Sequence, residues 1–167
     1  TFQVAWSYNI NDRNFQGGRS GYEYFPDEDN YVYTIAQFFP RMCVYDDVVG
    51  WQNKQFLGRS EFTLPFGDYK VAITVPADHI IAATGMVQNP QQVLTKTEIE
   101  RFEKAKTTFD KPVIIVTQAE ATTKEKTKSK EKKTWQFAAT NVRDFAFASS
   151  RKFIWDAMAV KLGTTTP

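Results

Sequence analysis

The 167-residue sequence has one cysteine, Cys43, and one histidine, His79, and these two scarcities exclude whole classes of chemistry. A single thiol can neither close an internal disulfide nor build a cysteine-rich zinc site, so Cys43 reads as a lone buried thiol. Catalytic zinc takes three protein ligands, commonly two or three of them histidine, so His79 would need two distant carboxylates to complete a metal site. A Ser-His-Asp triad would have to use His79 as its only base, and no local signature supports a Cys43–His79 nucleophile pair. His79 stands in Pro76-Ala-Asp-His-Ile80, where a strand gives way to a turn, and a turn or edge role outweighs a catalytic one.

Long apolar runs are missing too. Nothing approaches the roughly 18 consecutive apolar residues of a membrane span, and residues 1–6 carry neither the basic start nor the apolar run of a signal peptide. There are no internal repeats. An excess of one charge is likewise lacking: 21 basic against 19 acidic residues give +2, with a pI near 8.6. The small basic excess sits almost wholly in one lysine run, which creates no demand for a nucleic-acid partner.

What is abundant is aromatic. Fourteen Phe, seven Tyr and four Trp make up 15% of the chain, and such residues favour pleated, half-buried surfaces. The length suits one domain with its own core. Phe2, Val4, Trp6, Tyr8 and Ile10 alternate with smaller or polar residues, the period of two that predicts a strand. A polar, glycine-bearing loop is expected over residues 11–30, then a strand over 31–35 stopped by Pro40. Residues 41–60 show no period and read as a long excursion packed down by Tyr45, Trp51 and Phe56. Strands are expected over 61–64, 69–75 and 80–87, the last broken at Gly85. Thr95 with Glu98 forms a capping-box signature. It opens a helix through Ile99, Phe102, Ala105 and Phe109 that Pro112 ends. Residues 113–116, 134–139 and 144–148 are further strands, and 152–160 is read as a strand although Ile154, Met158 and Leu162 also fit a helical face after Ser150. Many short strands and one helix predict a mainly β fold, a β-sandwich or saddle-like sheet assembly with one inserted helix.

Several side-chain groups invite a chemical reading. Asp27-Glu-Asp-Asn30 offers oxygen ligands to a cation such as calcium, but lacks the later bidentate Glu of a full binding loop, and an acidic turn is the simpler account. Glu61 with Asp68 could be written as an acid–base pair, as could chance pairs in any β domain. Residues 124–133, reading K-E-K-T-K-S-K-E-K-K, form a charged stretch expected as a solvated loop or hairpin tip. Tyr22, Tyr24, Phe25, Tyr31, Tyr33, Phe38 and Phe39 could make a sugar-stacking platform, against which core and edge packing weighs more heavily.

Three segments carry something more specific. Gln37-Phe-Phe-Pro-Arg41 is followed by Val44-Tyr-Asp-Asp47 and Gly50-Trp51; Gly67-Asp-Tyr-Lys-Val71 runs to Val75-Pro76-Ala-Asp78 and Ala83-Thr-Gly85; Asn141-Val-Arg-Asp-Phe145 continues into Ala146-Phe-Ala-Ser149. Their order and spacing across residues 31–157 resemble the amino-terminal domain of the aminopeptidase N type of zinc metallopeptidase, in its Bacteroidetes form. The resemblance implies a saddle of β-sheets over residues 1–150, with the helix and lysine run, about residues 90–133, as an insertion. Residues 151–167 would begin the crossing into a catalytic domain. The family's H-E-x-x-H and G-x-M-E-N type motifs do not occur, so the resemblance implies a chain with no catalytic residue, no metal ligand and no cofactor of its own. Zinc would belong to the parent's catalytic domain, and the parent would be periplasmic or secreted.

The family's amino-terminal domain lends a Gln to the wall around the substrate's first residue. Gln37 is the similar position, although Phe38-Phe39-Pro40 departs from other branches. The partners implied are the catalytic domain of the same polypeptide and, at Gln37, the peptide substrate. Residues 153–160 are expected to be exposed or to self-associate where that domain is missing. The chain opens inside an alternating pattern and closes on Gly163-Thr-Thr-Thr-Pro167 with no stop signal, as a piece of a longer protein would. The competing reading is an independent β-sandwich module that binds glycan or protein through its aromatics.

Overall fold

Two long strands pair antiparallel and carry the centre of the fold: β5 (Gly67–Pro76) and β9 (Lys132–Val142). The computed structural model describes residues 1–17, 19–54 and 63–163. Along β5, Tyr69, Val71, Ile73 and Val75 turn inward while Asp68, Lys70, Ala72 and Thr74 face solvent, the alternation its sequence predicts. Ile73 lies opposite Trp135, and Val71 opposite Phe137, so the two inward rows form one apolar face. Trp135 is completely buried.

The other strands are β1 (Gly21–Phe25), β2 (Asn30–Ile35), β3 (Val44–Asp46), β4 (Gly50–Gln52), β6 (Ile80–Ala83), β7 (Met86–Val87), β8 (Val113–Val116), β10 (Phe147–Ser150) and β11 (Trp155–Ala157). They form antiparallel sheets in the orders β1-β2-β10-β6, β5-β9-β7, β11-β8 and β3-β4. The helices are α1 (Arg13–Gln16), α2 (Pro90–Val93), α3 (Lys96–Ala105) and α4 (Gln118–Glu125). The protein is mainly β, a sandwich-like assembly of several antiparallel sheets. Ile80 and Ile81 of β6, Ile115 and Val116 of β8, and Phe145 join the β5–β9 face in one core.

Gly85 is the pivot between sheets. The expected strand over 80–87 breaks there as predicted, but its halves join different sheets: β6 pairs with β10 and β7 with β9. The turn needs φ +82°, and a Cβ at Gly85 would meet the Ala138 carbonyl oxygen at 2.3 Å.

The helix at Thr95 forms with both halves of its capping box: Thr95 N–H donates to Glu98 Oε2 (2.8 Å) and Glu98 N–H to Thr95 Oγ1 (3.3 Å). Ala105 is buried, and Ile99 and Phe102 pack on the core, but the helix ends before Phe109, which stays exposed. A second capping box, Thr117 with Glu120, starts α4.

Four expectations are corrected. Residues 1–10 join no sheet, because alternation decides where side chains point but not whether a neighbouring backbone lies alongside to take the hydrogen bonds. The expected loop at 11–30 contains α1 and β1; β1 survives its glycine neighbours by pairing along its whole length with β2. Within 41–60 a hairpin forms from β3 and β4, its turn tied by the Asp46 carboxylate accepting from Val48 N–H (3.0 Å) and Val49 N–H (2.8 Å). Its aromatics are not packed down: Tyr45 and Trp51 meet edge to face in the open, with ring centres 5.3 Å apart. The expected strand at 61–64 falls partly outside the described residues, which also exclude Phe56 and Glu61; Thr63 and Leu64 are not in a strand.

The lysine run is less of a loop than its composition predicts. Its ends belong to α4 and β9, and three of its ammonium groups find partners. Lys124 pairs with the buried Glu98 carboxylate, and Lys128 lies 3.2 Å from Asp29 Oδ2. Lys133 donates to the Val93 carbonyl (3.0 Å) and sits 5.0 Å over the Trp135 ring. Burial, with Lys124 nearby, pushes the Lys133 ammonium down to about 8.

Candidate functional site

Parts of the three segments that carried the family resemblance, residues 37–41, 67–71, 83–85 and 141–146, lie far apart in sequence and come together, whereas residues 44–47 and 50–51 lie in the β3–β4 hairpin and residues 75–78 at the other end of β5. Arg41 reaches across to the third segment: its Nη1 lies 2.8 Å from Asp144 Oδ1, and its Nη2 donates to the Arg143 carbonyl (2.7 Å). The second segment is tied to the third by the Asn141 N–H, which donates to Asp68 Oδ1 (2.9 Å). It is tied again by Thr84 N–H donating to the Ala146 carbonyl (2.9 Å). Ala146 N–H returns a bond to Thr84 Oγ1 (3.1 Å). Tyr69 links all three, with its ring centre 5.9 Å from Phe39 and 6.2 Å from Phe145.

Gln37 stands at the edge of this junction. It lies two residues beyond the end of β2, on a bend, with its side chain exposed. Its φ is +54°, a left-handed conformation that a residue with a Cβ adopts at a cost of about 1 kcal/mol or more. The neighbours hold that geometry in place. Ala36 N–H donates to Ser20 Oγ (3.2 Å), and Phe38 packs its ring at 90° to Phe147, 5.4 Å between centres. The bend forms one side of a cavity of about 330 Å3 whose opposite side is Trp6 and Tyr8. Trp6 Nε1–H donates to the Phe38 carbonyl (2.9 Å), and burial raises the Tyr8 phenol. The result is a shallow aromatic recess with one exposed amide, Gln37, able both to donate and to accept a hydrogen bond.

No family model matches the chain, and no curated protein or solved structure matches it. The residues themselves therefore carry the functional reading.

His79 closes the turn after β5, its N–H donating to the Pro76 carbonyl (3.0 Å), and its side chain is buried, with Nδ1 2.9 Å from Ser149 Oγ. Burial first, and then the positive charge of Arg151, lowers its pKa to about 4, so the ring is neutral at pH 7. Asp78, its sequence neighbour, does not turn toward it. That carboxylate accepts from Ser129 N–H (2.7 Å) and Thr127 Oγ1–H (2.8 Å), and lies 3.1 Å from Arg151 Nε. A Ser-His-Asp relay is therefore not assembled: the serine–histidine contact exists, but the acid that would orient the ring is bound elsewhere. The Ser149 and Arg151 partners of this cluster went unrecognised in the sequence, because nothing local marks a serine 70 residues away as a neighbour of His79.

Cys43 is exposed, not buried, since it lies on the segment leading into the outlying β3–β4 hairpin. In the acidic turn, Asp29 takes Lys128 and the Tyr24 hydroxyl (3.0 Å), and Glu28 lies 3.2 Å from Lys152 Nζ. The Asp29 carboxylate and a Glu28 oxygen are thus engaged by protein donors. Among the described residues, no group of three His, Cys, Asp or Glu side chains could hold a metal ion. No helix among them is long and apolar enough to cross a membrane.

The suspected aromatic platform partly assembles. Tyr22 pairs with Tyr33 and Tyr24 with Tyr31 across β1 and β2, so four tyrosines share one face, with ring centres 4.8 to 6.4 Å apart. Tyr31 and Tyr33 also line a second cavity, about 360 Å3, that reaches to His79, Ser149 and Arg151. Phe38 and Phe39 belong instead to the core side.

Proposed function

We propose that this chain is the non-catalytic amino-terminal β domain of a zinc-dependent aminopeptidase, supporting the catalytic domain and flanking its peptide-binding cleft at Gln37. The observation that carries the reading is that parts of all three resembling segments come together, through Arg41 with Asp144 and Asp68 with Asn141, with Gln37 at positive φ four residues before Arg41. Segments that mark a family by order and spacing have a physical reason to be retained together when they build one piece of structure. A strained backbone at an exposed polar residue is a recurrent feature of ligand-contacting positions.

In this reading the zinc, the peptide hydrolysis and the partner surface belong to a catalytic domain of the same polypeptide, and the parent acts in the periplasm or outside the cell. Gln37 contributes a hydrogen bond to the substrate's first residue and does no bond chemistry. The test has two parts. The coding sequence is expected to continue past Pro167 into a helix bearing H-E-x-x-H; a stop codon there overturns the reading. In the two-domain enzyme, Gln37→Ala is expected to raise KM for short peptides by about five- to tenfold, the value of one hydrogen bond of about 1 kcal/mol, with little change in kcat.

The four-tyrosine face favours a second reading, an independent glycan- or protein-binding module. Stacked rings beside a cavity within the usual range of roughly 300–1,000 Å3 suit a flat ligand. Saturable glycan binding that Tyr31→Ala abolishes would favour this module; no binding on a glycan array removes its glycan-binding form.

A further inference from the structure

Residues of two sheets, β2 and β10 from one and β5 from the other, line the cavity of about 360 Å3. The register of β2 with β10 sorts that lining by polarity. Ile35 lies opposite Phe147 and Tyr33 opposite Ser149, so both pairs share one face. Tyr31 and Arg151 continue the two rows, and Arg151 Nη1 lies 3.3 Å from the Asn30 side-chain oxygen at the start of β2. The lining therefore runs from hydrocarbon at Ile35 and Phe147 to a guanidinium near Tyr31, roughly 14 Å along β2 at about 3.4 Å per residue. Ile73 of β5 adds a further apolar wall.

The polar end is positive. Among the described residues that line the cavity, Arg151 alone is charged, since the His79 ring is neutral. Arg151 also pairs with Asp78, but that carboxylate lies outside the lining and is shared with Ser129 N–H and Thr127 Oγ1–H. At the His79 ring, in the cavity wall, the charge of Arg151 outweighs that of Asp78. The Arg151 side chain is only 14% exposed, so its field acts through little water. Its Nε faces Asp78 and its Nη1 the neutral Asn30 amide, which leaves further N–H donors of the guanidinium for a ligand.

We infer that this cavity binds a short-chain monocarboxylate, with the apolar body against Ile35, Ile73 and Phe147 and the carboxylate on the Arg151 guanidinium. The planar fork of a guanidinium matches the two oxygens of a carboxylate. A phosphate monoester would instead bring close to two negative charges to one shielded cation, leaving charge unpaired. An uncharged polyol would bury hydroxyls against the Ile35 end, where the side chains offer them no hydrogen bonds. The site shares no lining residue with the recess at Gln37, so it stands apart from the proposed function.

His79 is the only histidine of the chain, so its ring C–H signals in NMR report on this cavity without ambiguity. Titration of the full chain with octanoate is expected to shift them saturably, with half-saturation below about 1 mM, whereas 1-octanol should bind at least about tenfold more weakly. Signals unmoved by octanoate at about 1 mM overturn the inference. Equal binding of octanol overturns it too, because the cavity would then take the chain without reading the head. Arg151→Gln removes the charge and keeps a planar polar end; it is expected to weaken octanoate at least about tenfold and to leave octanol unchanged, and undiminished octanoate binding overturns the assignment to Arg151. Should that variant fail to fold, because Asp78 loses its partner, octylamine on the unaltered chain decides. The amine carries the same body with the opposite charge and is expected to bind at least about tenfold more weakly than octanoate, and equal binding overturns the inference.

Discussion

Arg41 and Asp144, 103 residues apart, meet at 2.8 Å, four residues beyond Gln37 in the chain and three before β10. Both side chains are largely shielded, 19% and 26% exposed, and the guanidinium also lies 5.5 Å over the Phe39 ring. The pair closes the loop between the end of β2 and the start of β10, and so fixes where the bend stands relative to the sheets. A fixed bend is what an exposed glutamine needs in order to present its amide in one direction.

Breaking that pair should therefore loosen the junction as well as weaken the fold. Asp144→Ala is expected to cost about 2 kcal/mol in urea unfolding, because it leaves a half-buried guanidinium without its carboxylate. A double-mutant cycle with Arg41→Ala should return a coupling of about 1 kcal/mol or more. Additive losses would mean that the two residues act separately.

His79 makes the protein acid-sensitive in a defined window. Its folded pKa, about 4, lies below its ordinary value of 6.5, so the unfolded chain binds the proton more readily. The stability associated with the neutral ring is complete above about 6.5 and is lost as the pH falls from there toward 4, up to about 3 kcal/mol. The lowered carboxylates Asp78 and Glu98 add their own losses only further into acid. His79→Asn can keep a hydrogen bond to Ser149 Oγ and cannot titrate, so its unfolding free energy should be flat between pH 6.5 and 5 where the parent's slopes.

Gly85 should tolerate no side chain. Alanine there combines φ +82° with a Cβ 2.3 Å from the Ala138 backbone, which cannot swing aside as a long side chain could. Gly85→Ala is expected to lower stability by at least about 3 kcal/mol, roughly 10 °C in Tm for a chain of this size. Gly17→Ala, at φ +66° with open space around it, serves as the comparison and should lose much less. Equal losses would assign the effect to backbone conformation and not to the approach of β9.

Much of the fold was legible because the physics behind it is local. The alternation in β5 named its inward face, Thr95 and Glu98 announced a capping box, and Gly85 marked a break, each within a few neighbouring residues. The site was legible only by resemblance: Gln37 has no local feature that separates it from any other glutamine, and its positive φ depends on what holds Ala36 and Phe38 on either side.

By itself, the amino-acid sequence determined the mainly β character, the helix start at Thr95, the inward rows of the long strands and the poverty of catalytic groups, since propensity, period and residue counts need no long-range partner. Tertiary structure alone decided that residues 1–10 find no ladder, that His79 meets Ser149 while Asp78 turns to Arg151, and that Arg41 meets Asp144 and Asp68 meets Asn141. Those outcomes depend on which distant backbones come to lie side by side, and that is set by the closing of the whole core around Trp135 and Phe145.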